Sequence, residues 1–214
     1  KGNFKWHTAV ITEDTSLIDN LVYALYFDVS GVLWIGTEDG MDKYDLFENQ
    51  FTINNDISLY IDNQIPKIKG FAKTYDAKVI VATRDNGLFI SNKDEFVPLY
   101  DGKHDIASIY SIDGKIFYCG LWNGDLMVYN YIANSSKVVK TGIENEAILS
   151  VAEYGEDEII VGSYGKGVVV LDKETLEIRI SSDVIIPGYQ VNKIINTGKG
   201  KLWMASQKGL VKYD

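Results

Sequence analysis

Cysteine, histidine and proline are all scarce in these 214 residues: one Cys, two His and three Pro. The single Cys119 excludes a disulfide within the chain, and with only His7 and His104 beside it there is no zinc-type ligand spacing. Little proline, 46% hydrophobic residues and 12% aromatics exclude a disordered linker. No apolar run reaches membrane-spanning length and no signal peptide opens the chain. The chain starts at Lys1 instead of Met and is expected to be an excised piece, for which a missing leader carries no information. Lys and Arg number 21 against 30 Asp and Glu, a net charge of −9 with no basic cluster along the sequence, so no nucleic-acid partner is expected.

What is present is a repeated unit. Its first copy runs Gly31-Val32-Leu33-Trp34-Ile35-Gly36-Thr37, then Gly40-Met41 and Tyr44-Asp45; its last runs Leu202-Trp203-Met204-Ala205-Ser206, then Gly209-Leu210 and Tyr213-Asp214. The small residue after each apolar run marks five copies, at Gly36, Ala82, Gly120, Gly162 and Ala205, spaced by 46, 38, 42 and 43 positions. A period of roughly 40 to 50 residues is that of a four-stranded propeller blade. The apolar runs are too short for helices and rich in branched and aromatic residues, which predicts buried strands. Turn signals stand on both sides of each, including a glycine at 40, 87, 124, 167 and 209. The marker is small because neighbouring sheets converge there.

The fold class is therefore all-β: a β-propeller of four-stranded antiparallel blades, five in this chain, complete or part of a larger propeller. The expectation is a single domain over 1–214, with blades at about 20–53, 65–99, 105–141, 147–181 and 190–214. Innermost strands are predicted at Val22–Phe27, Ile68–Lys73, Ile106–Ile112, Ile148–Tyr154 and Val191–Thr197. Outermost strands are predicted near Gln50–Ile53, Glu95–Leu99, Lys137–Thr141 and Leu176–Ser181. The fifth blade lacks an outer strand, and either residues 1–12, through Asn3–Trp6, supply it or they belong to a preceding blade.

Catalytic constellations are thin. Asp28, Asp113 and Asp157 recur at one turn position, which reads as architecture, because a catalytic pair would break the repeat. Cys119 reads as a buried packing residue. No metal and no cofactor is expected. In propellers the turn between second and third strands opens on the face that usually holds ligand. Arg84, Asn86, Trp122, Asn123, Tyr164 and Lys166 fall in these turns and are the candidate ligand-binding residues. Trp34 and Trp203 share an in-register strand position and read as core. Trp122 lies past the marker, where it either stacks on a ligand or caps a neighbouring blade. His104 is placed facing the same rim, although a lone His is more often a surface residue than a ligand or base.

The first copy, with Val22–Asp28 before it and Ser16-Leu17-Ile18-Asp19-Asn20 ahead of that, resembles the two-component regulator propeller repeat, and the fifth copy resembles it well. In the middle three, Ile80, Tyr118 and Ile160 replace the Trp, and Asp125 follows Gly124 where an apolar residue is usual. The resemblance implies a periplasmic sensor region of a hybrid two-component system, commonly seven-bladed and followed by further domains, a membrane helix and a kinase. It implies a non-catalytic segment that helps sense an oligosaccharide, within a receptor that signals as a homodimer and meets the membrane only through its other parts. It transfers no binding residue, because the repeat is a fold signature. Two other readings stay open: a lyase-type propeller enzyme, which needs His and acidic residues converging with a divalent ion, and a pure scaffold for a protein partner.

Overall fold

The computed structural model describes residues 7–10, 16–45, 50–54, 56–62, 64–93, 95–100, 104–181, 188–198 and 201–213. Among them the chain is all β apart from one 3-10 turn, Ile57–Tyr60, and no helix is long and apolar enough to cross a membrane. The strands form five antiparallel sheets, each a simple meander. The first contains β1 (Val22–Phe27), β2 (Val32–Thr37), β3 (Gly40–Asp45) and β4 (Gln50–Asn54); the second β5 (Ile68–Lys73), β6 (Val79–Thr83), β7 (Gly87–Asn92) and β8 (Glu95–Tyr100). The third contains β9 (Ile106–Tyr110), β10 (Ile116–Leu121), β11 (Asp125–Asn130) and β12 (Ser135–Lys140); the fourth β13 (Ile148–Tyr154), β14 (Glu158–Ser163), β15 (Val168–Asp172) and β16 (Ile178–Ile180). The fifth has β17 (Val191–Asn196), β18 (Leu202–Ser206) and β19 (Gly209–Tyr213), three strands among the described residues.

The chain divides into two compact units, Lys1–Ala72 with Lys78–His104 and Lys73–Ala77 with Asp105–Asp214. The first unit carries the first two sheets, and the second carries the other three. Asn3–Trp6, the predicted closing strand, lies outside the described residues. Of the same segment, Ala9 forms an isolated parallel bridge with Leu17 in the first unit.

The small markers are explained by what sits on them. A Cβ on Gly36 would come 2.5 Å from Ile68 Cγ2, and one on Gly120 would come 2.5 Å from both Ile148 Cγ2 and the Ile148 carbonyl oxygen. On Gly162 it would lie 2.9 Å from Val191 Cγ1. Ile68, Ile148 and Val191 each begin the next inner strand, so the marker is where one blade seats its successor. Apolar layers continue outward from these points: Met41, Ile68, Val81, Phe89 and Phe96 in the first unit. In the second unit they are Leu126, Ile148, Val161 and Leu171, then Ile160, Val170, Val191, Leu202 and Met204. Two buried serines staple inner strands of that unit. Ser108 Oγ donates to the Ile148 carbonyl at 2.8 Å, and Ile194 N–H donates to Ser150 Oγ at 3.0 Å.

Two of the three repeated aspartates, Asp28 and Asp113, hold their turns through the carboxylate. Asp28 accepts from Ser30 N–H at 2.8 Å, Val32 N–H at 3.1 Å and Trp34 Nε1–H at 2.8 Å, fixing the β1–β2 turn to the tryptophan. Asp113 accepts from Lys115 and Ile116 N–H at 2.8 and 3.0 Å. Cys119 is fully buried, and burial pushes its thiol up, away from the reactive thiolate.

Details differ from the sequence expectations: β9 ends at Tyr110 and not Ile112, and β12 begins at Ser135 and not Lys137. Trp34 packs edge-on against Phe96 of β8 at 5.3 Å between ring centroids, but Trp203, its in-register partner, is 36% exposed. The first blade of its unit is followed by a sheet that covers that face; the fifth is the last in its unit. The last outer strand was expected from Leu176, yet it starts at Ile178. Asp172 holds the amides of Glu174 and Thr175, and Leu176 turns the chain in the left-handed region (φ 62°) with its side chain buried.

Candidate functional site

The turns between second and third strands share one construction. A hydroxyl after the marker donates to the carbonyl of the turn glycine: Thr37 to Gly40 at 3.0 Å, Thr83 to Gly87 at 2.9 Å, Ser163 to Gly167 at 3.0 Å and Ser206 to Gly209 at 2.9 Å. The next residue's N–H reaches back to the carbonyl just before the inner strand. Glu38 bonds Leu21 at 3.1 Å, Arg84 bonds Lys67 at 2.9 Å, Trp122 bonds Asp105 at 2.9 Å, Tyr164 bonds Ala147 at 2.9 Å and Gln207 bonds Gln190 at 3.1 Å. All five blades therefore hold this backbone position alike, while its side chain changes from acid to base to indole to phenol to amide. A scaffold that fixes the main chain and varies the side chain is suited to recognition.

The third blade departs from the pattern instructively. Leu121 stands where the hydroxyl should be, and the Gly124 carbonyl instead accepts from Thr141 Oγ at 2.6 Å, from the segment after β12. That segment lies close enough that a Cβ on Gly124 would meet the Ile143 carbonyl oxygen at 1.9 Å. Asn145 N–H also donates to the Asn123 carbonyl at 3.3 Å. The connection to the fourth blade is thus drawn over this turn, enclosing a cleft of about 440 Å³ lined by Asn123, Asp125, Lys140, Ile143, Glu144 and Asn145.

Within the second unit, Trp122 is half-buried and Asn123, next to it, is exposed at the mouth of that cleft. Asn123 Nδ2–H donates to Asp125 Oδ2 at 3.0 Å, and Lys140 reaches the same oxygen at 2.9 Å. Tyr164 is 54% exposed on its anchored backbone, and Lys166, in the same turn, is exposed with its N–H bound to Ser163 Oγ at 2.8 Å. The polar part of the cleft wall is amide, carboxylate and ammonium, the groups that grip hydroxyls.

Within the first unit, Arg84 and Asn86 share the β6–β7 turn, Asn86 N–H donating to Thr83 Oγ at 3.2 Å. Arg84 Nε lies 3.9 Å from Asp85. Around Glu38 four further groups gather: Lys67 Nζ at 2.5 Å, Lys69 Nζ at 3.3 Å, the Tyr23 hydroxyl as a hydrogen-bond donor, and Arg84 near enough to act on Tyr23 and Lys69 through its charge. Lys69 Nζ also sits 3.3 Å over the Tyr23 ring. The Lys67 ammonium, with Tyr23 and Lys69, holds the Glu38 carboxyl down at about 2. Burial and the adjacent Glu38 push Tyr23 up to about 12, while burial draws Lys69 below the ordinary lysine range.

Sequence reasoning had no signal for Tyr23 and Lys69. Each is the second residue of an inner strand, and in the first blade the β1–β2 register shifts between Val22 and Ala24, a bulge that re-aims the intervening side chain. Similar shifts occur at Ile148/Ser150 and Val191/Lys193. His104 is half-buried and stacks on Tyr100, with ring centroids 6.2 Å apart and an interplanar angle of 5°. Among the described residues no group of three or more His, Cys, Asp or Glu could hold a metal ion.

The two component regulator propeller model matches residues 16–39, the segment from the Ser16 link through the β2–β3 turn. No curated protein matches the sequence. Among solved structures, the fold is similar to the extracellular domains of BT4673 and BT3049 from B. thetaiotaomicron, each described as a hybrid two component system. For BT4673 the TM-score is 0.73 at 19% identity, over 95% of this chain and 28% of that one. For BT3049 the TM-score is 0.72 at 17% identity, over 96% and 28%. The WD40 β-propeller domain of Doa1 is also similar, with a TM-score of 0.66 at 13% identity, over 89% of this chain and 62% of that one. The chain thus spans little more than a quarter of the length of the two sensor domains, and the likeness establishes a propeller fold.

Proposed function

Because the chain carries a two component regulator propeller repeat, we propose that it is a non-catalytic, ligand-sensing propeller segment of an extracytoplasmic sensor. Its ligand is an oligosaccharide, and its role is to contribute that recognition to transmembrane signalling by a longer, homodimeric receptor. One observation carries this reading: the five equivalent rim positions Glu38, Arg84, Trp122, Tyr164 and Gln207, identically anchored through their N–H groups and chemically unlike. Side chains that vary on a fixed main chain, some polar and some aromatic, supply the kinds of group that recognition uses. Trp122, Tyr164 and the cleft at Asn123 offer stacking and hydroxyl-binding groups in one unit. Periplasmic placement belongs to the same proposal, since the similar sensor domains are extracellular.

Calorimetry against a panel of oligosaccharides tests the proposal. A saccharide from the panel is expected to bind, and Trp122→Ala, checked for wild-type folding, is expected to weaken binding roughly thirtyfold, as loss of a central aromatic anchor does. A well-folded Trp122→Ala with wild-type affinity removes Trp122 from the site. Absence of any saccharide binding by the wild type overturns the sensing reading in favour of a scaffold.

A further inference from the structure

The groove between neighbouring blades recurs, and the two units fill it differently. In the first unit Trp34 stands between Tyr26 and Lys43 in the strand register, donates its Nε1–H to Asp28 at 2.8 Å and meets Phe96 of the second blade edge-on. About 260 Å³ remains there, beside Trp34, Lys93 and Phe96. In the third blade the same register position, between Tyr110 and Val128, holds Tyr118. Leu176 of the fourth blade replaces Phe96: each comes three residues after a lysine, Lys173 or Lys93, that directly follows the third strand. With a smaller ring and no second ring, this groove opens to about 450 Å³, floored by Ile116, Tyr118, Val128 and Leu176. Ile116 begins β10, while Asn130 and Ser135 on its lip end β11 and begin β12, so it lies at the opposite end of the strands from the cleft at Asn123.

The phenol differs from the indole in a second way. Tyr118 is only 4% exposed and lines the groove, yet its hydroxyl has no hydrogen-bond partner among the described residues. Ile112 stands two residues past Tyr110, where Asp28 stands two residues past Tyr26; the carboxylate that takes the indole N–H has no counterpart at that position. A buried hydroxyl without a partner is costly. Burial, with Glu153 and Asp113 nearby, pushes the phenol up to about 12, so it keeps its proton and remains a donor. The lining ammoniums, Lys137 and Lys173, are donors only. Lys173 is held by Glu153, so both signs of charge are present and nothing singles out an anion.

We propose that the groove between the third and fourth blades is a second ligand site, which takes a neutral aromatic ring carrying a hydrogen-bond acceptor. The ring lies against Ile116, Val128 and Leu176, in the space that the Trp34–Phe96 pair narrows in the first unit, and its acceptor meets the Tyr118 hydroxyl. The volume falls within the range of small-molecule sites, about 300–1,000 Å³. None of these residues belongs to the rim turns, so the inference does not depend on the saccharide-sensing reading.

The test is an NMR titration of isotope-labelled protein with indole-3-carboxamide, an indole ring bearing a carbonyl acceptor. Its controls are 3-methylindole, which lacks the carbonyl, cyclohexanecarboxamide, which lacks the aromatic ring, and indole-3-carboxylate, which is an anion. Saturable shifts are expected at Tyr118, Ser135, Lys137 and Lys173, with an affinity about tenfold tighter than for any control. Tyr118→Phe is expected to weaken binding by about fivefold to tenfold and, because the hydroxyl has no partner within the protein, to leave the urea midpoint unchanged or raised. Tyr118→Trp combined with Leu176→Phe rebuilds the first-unit pair and is expected to abolish binding. Absence of saturable shifts, shifts confined to other residues, or equal binding of a control overturns the proposal. A Tyr118→Phe variant that binds like the wild type overturns it too, as does one with a clearly lowered urea midpoint, since the hydroxyl then has a partner inside the protein. Should the double variant fail to fold, Tyr118→Phe decides the question.

Discussion

Asp42 offers the sharpest test of the physical account. It lies in β3 opposite Ile35 of β2 and Ile53 of β4, and it is fully buried. One oxygen, Oδ2, accepts from Ile18 N–H at 3.1 Å; Oδ1 is buried with no hydrogen-bond partner among the described residues. Burial pushes its pKa up from the ordinary 3.8 to about 6, with the Ile18 bond opposing. Because the folded value is raised, the native state binds the extra proton between the two values. Stability from this group is then fully present below about pH 3.8 and lost as pH rises through about 6.

Linkage over that shift gives about 2 kcal/mol between pH 4.5 and pH 7.5. Other carboxylates work in the opposite sense: Asp28 and Glu38 have lowered values and gain stability as pH rises, so the wild-type profile alone is ambiguous. Asp42→Asn isolates the term, since the amide can still accept from Ile18 but does not titrate. Urea unfolding of both proteins at several pH values measures it. The difference in stability, variant minus wild type, is expected to rise by about 2 kcal/mol from pH 4.5 to pH 7.5. Its absolute sign at either pH is secondary, because an unpaired buried amide carries its own cost of about 1–3 kcal/mol. A difference that stays flat with pH refutes the placement of an ionisable, desolvated Asp42 under the N-terminal link.

Two further perturbations address the repeat itself. Gly120→Ala puts a methyl 2.5 Å from the Ile148 carbonyl oxygen and side chain, which must move, and is expected to destabilise by roughly 1–3 kcal/mol in urea unfolding; stability within experimental error of the wild type would contradict the seat between blades. Thr141→Val deletes the 2.6 Å bond to the buried Gly124 turn and is expected to cost about 1–3 kcal/mol, whereas a neutral result would mean that the third-blade turn does not need the substitute hydroxyl.

The fold was legible because its punctuation is chemical. Short apolar runs and turn glycines located β1, β5 and β13 at Val22–Phe27, Ile68–Lys73 and Ile148–Tyr154, as predicted, and the small markers mark close approach. Periodicity reports which face a side chain takes but not what covers that face. Trp34 and Trp203 are therefore indistinguishable in sequence and differ in burial. The candidate rim was readable as a set of turns, since Arg84, Trp122 and Tyr164 each stand directly after the residue that follows the marker. Its first-unit chemistry was not. A bulge leaves no residue signature here, and the meeting of Tyr23 with Lys69, which are 46 positions apart, depends on two strands starting in phase.

The third blade shows why such a scaffold can host a site. Four blades close the rim turn with their own Thr or Ser, so the turn is self-sufficient. At Leu121 that hydroxyl is missing, and the Gly124 carbonyl is satisfied from seventeen residues later by Thr141. Exchanging a local bond for a long-range one ties the connection between third and fourth blades to the turn. That connection, through Ile143 to Asn145, is what forms one side of the 440 Å³ cleft. The same exchange frees the rim of a strict motif just where Trp122 replaces the polar residue usual in these turns. A departure from the repeat that is structurally compensated, and that creates both a cleft and an aromatic edge, is where recognition can be added without loss of the blade.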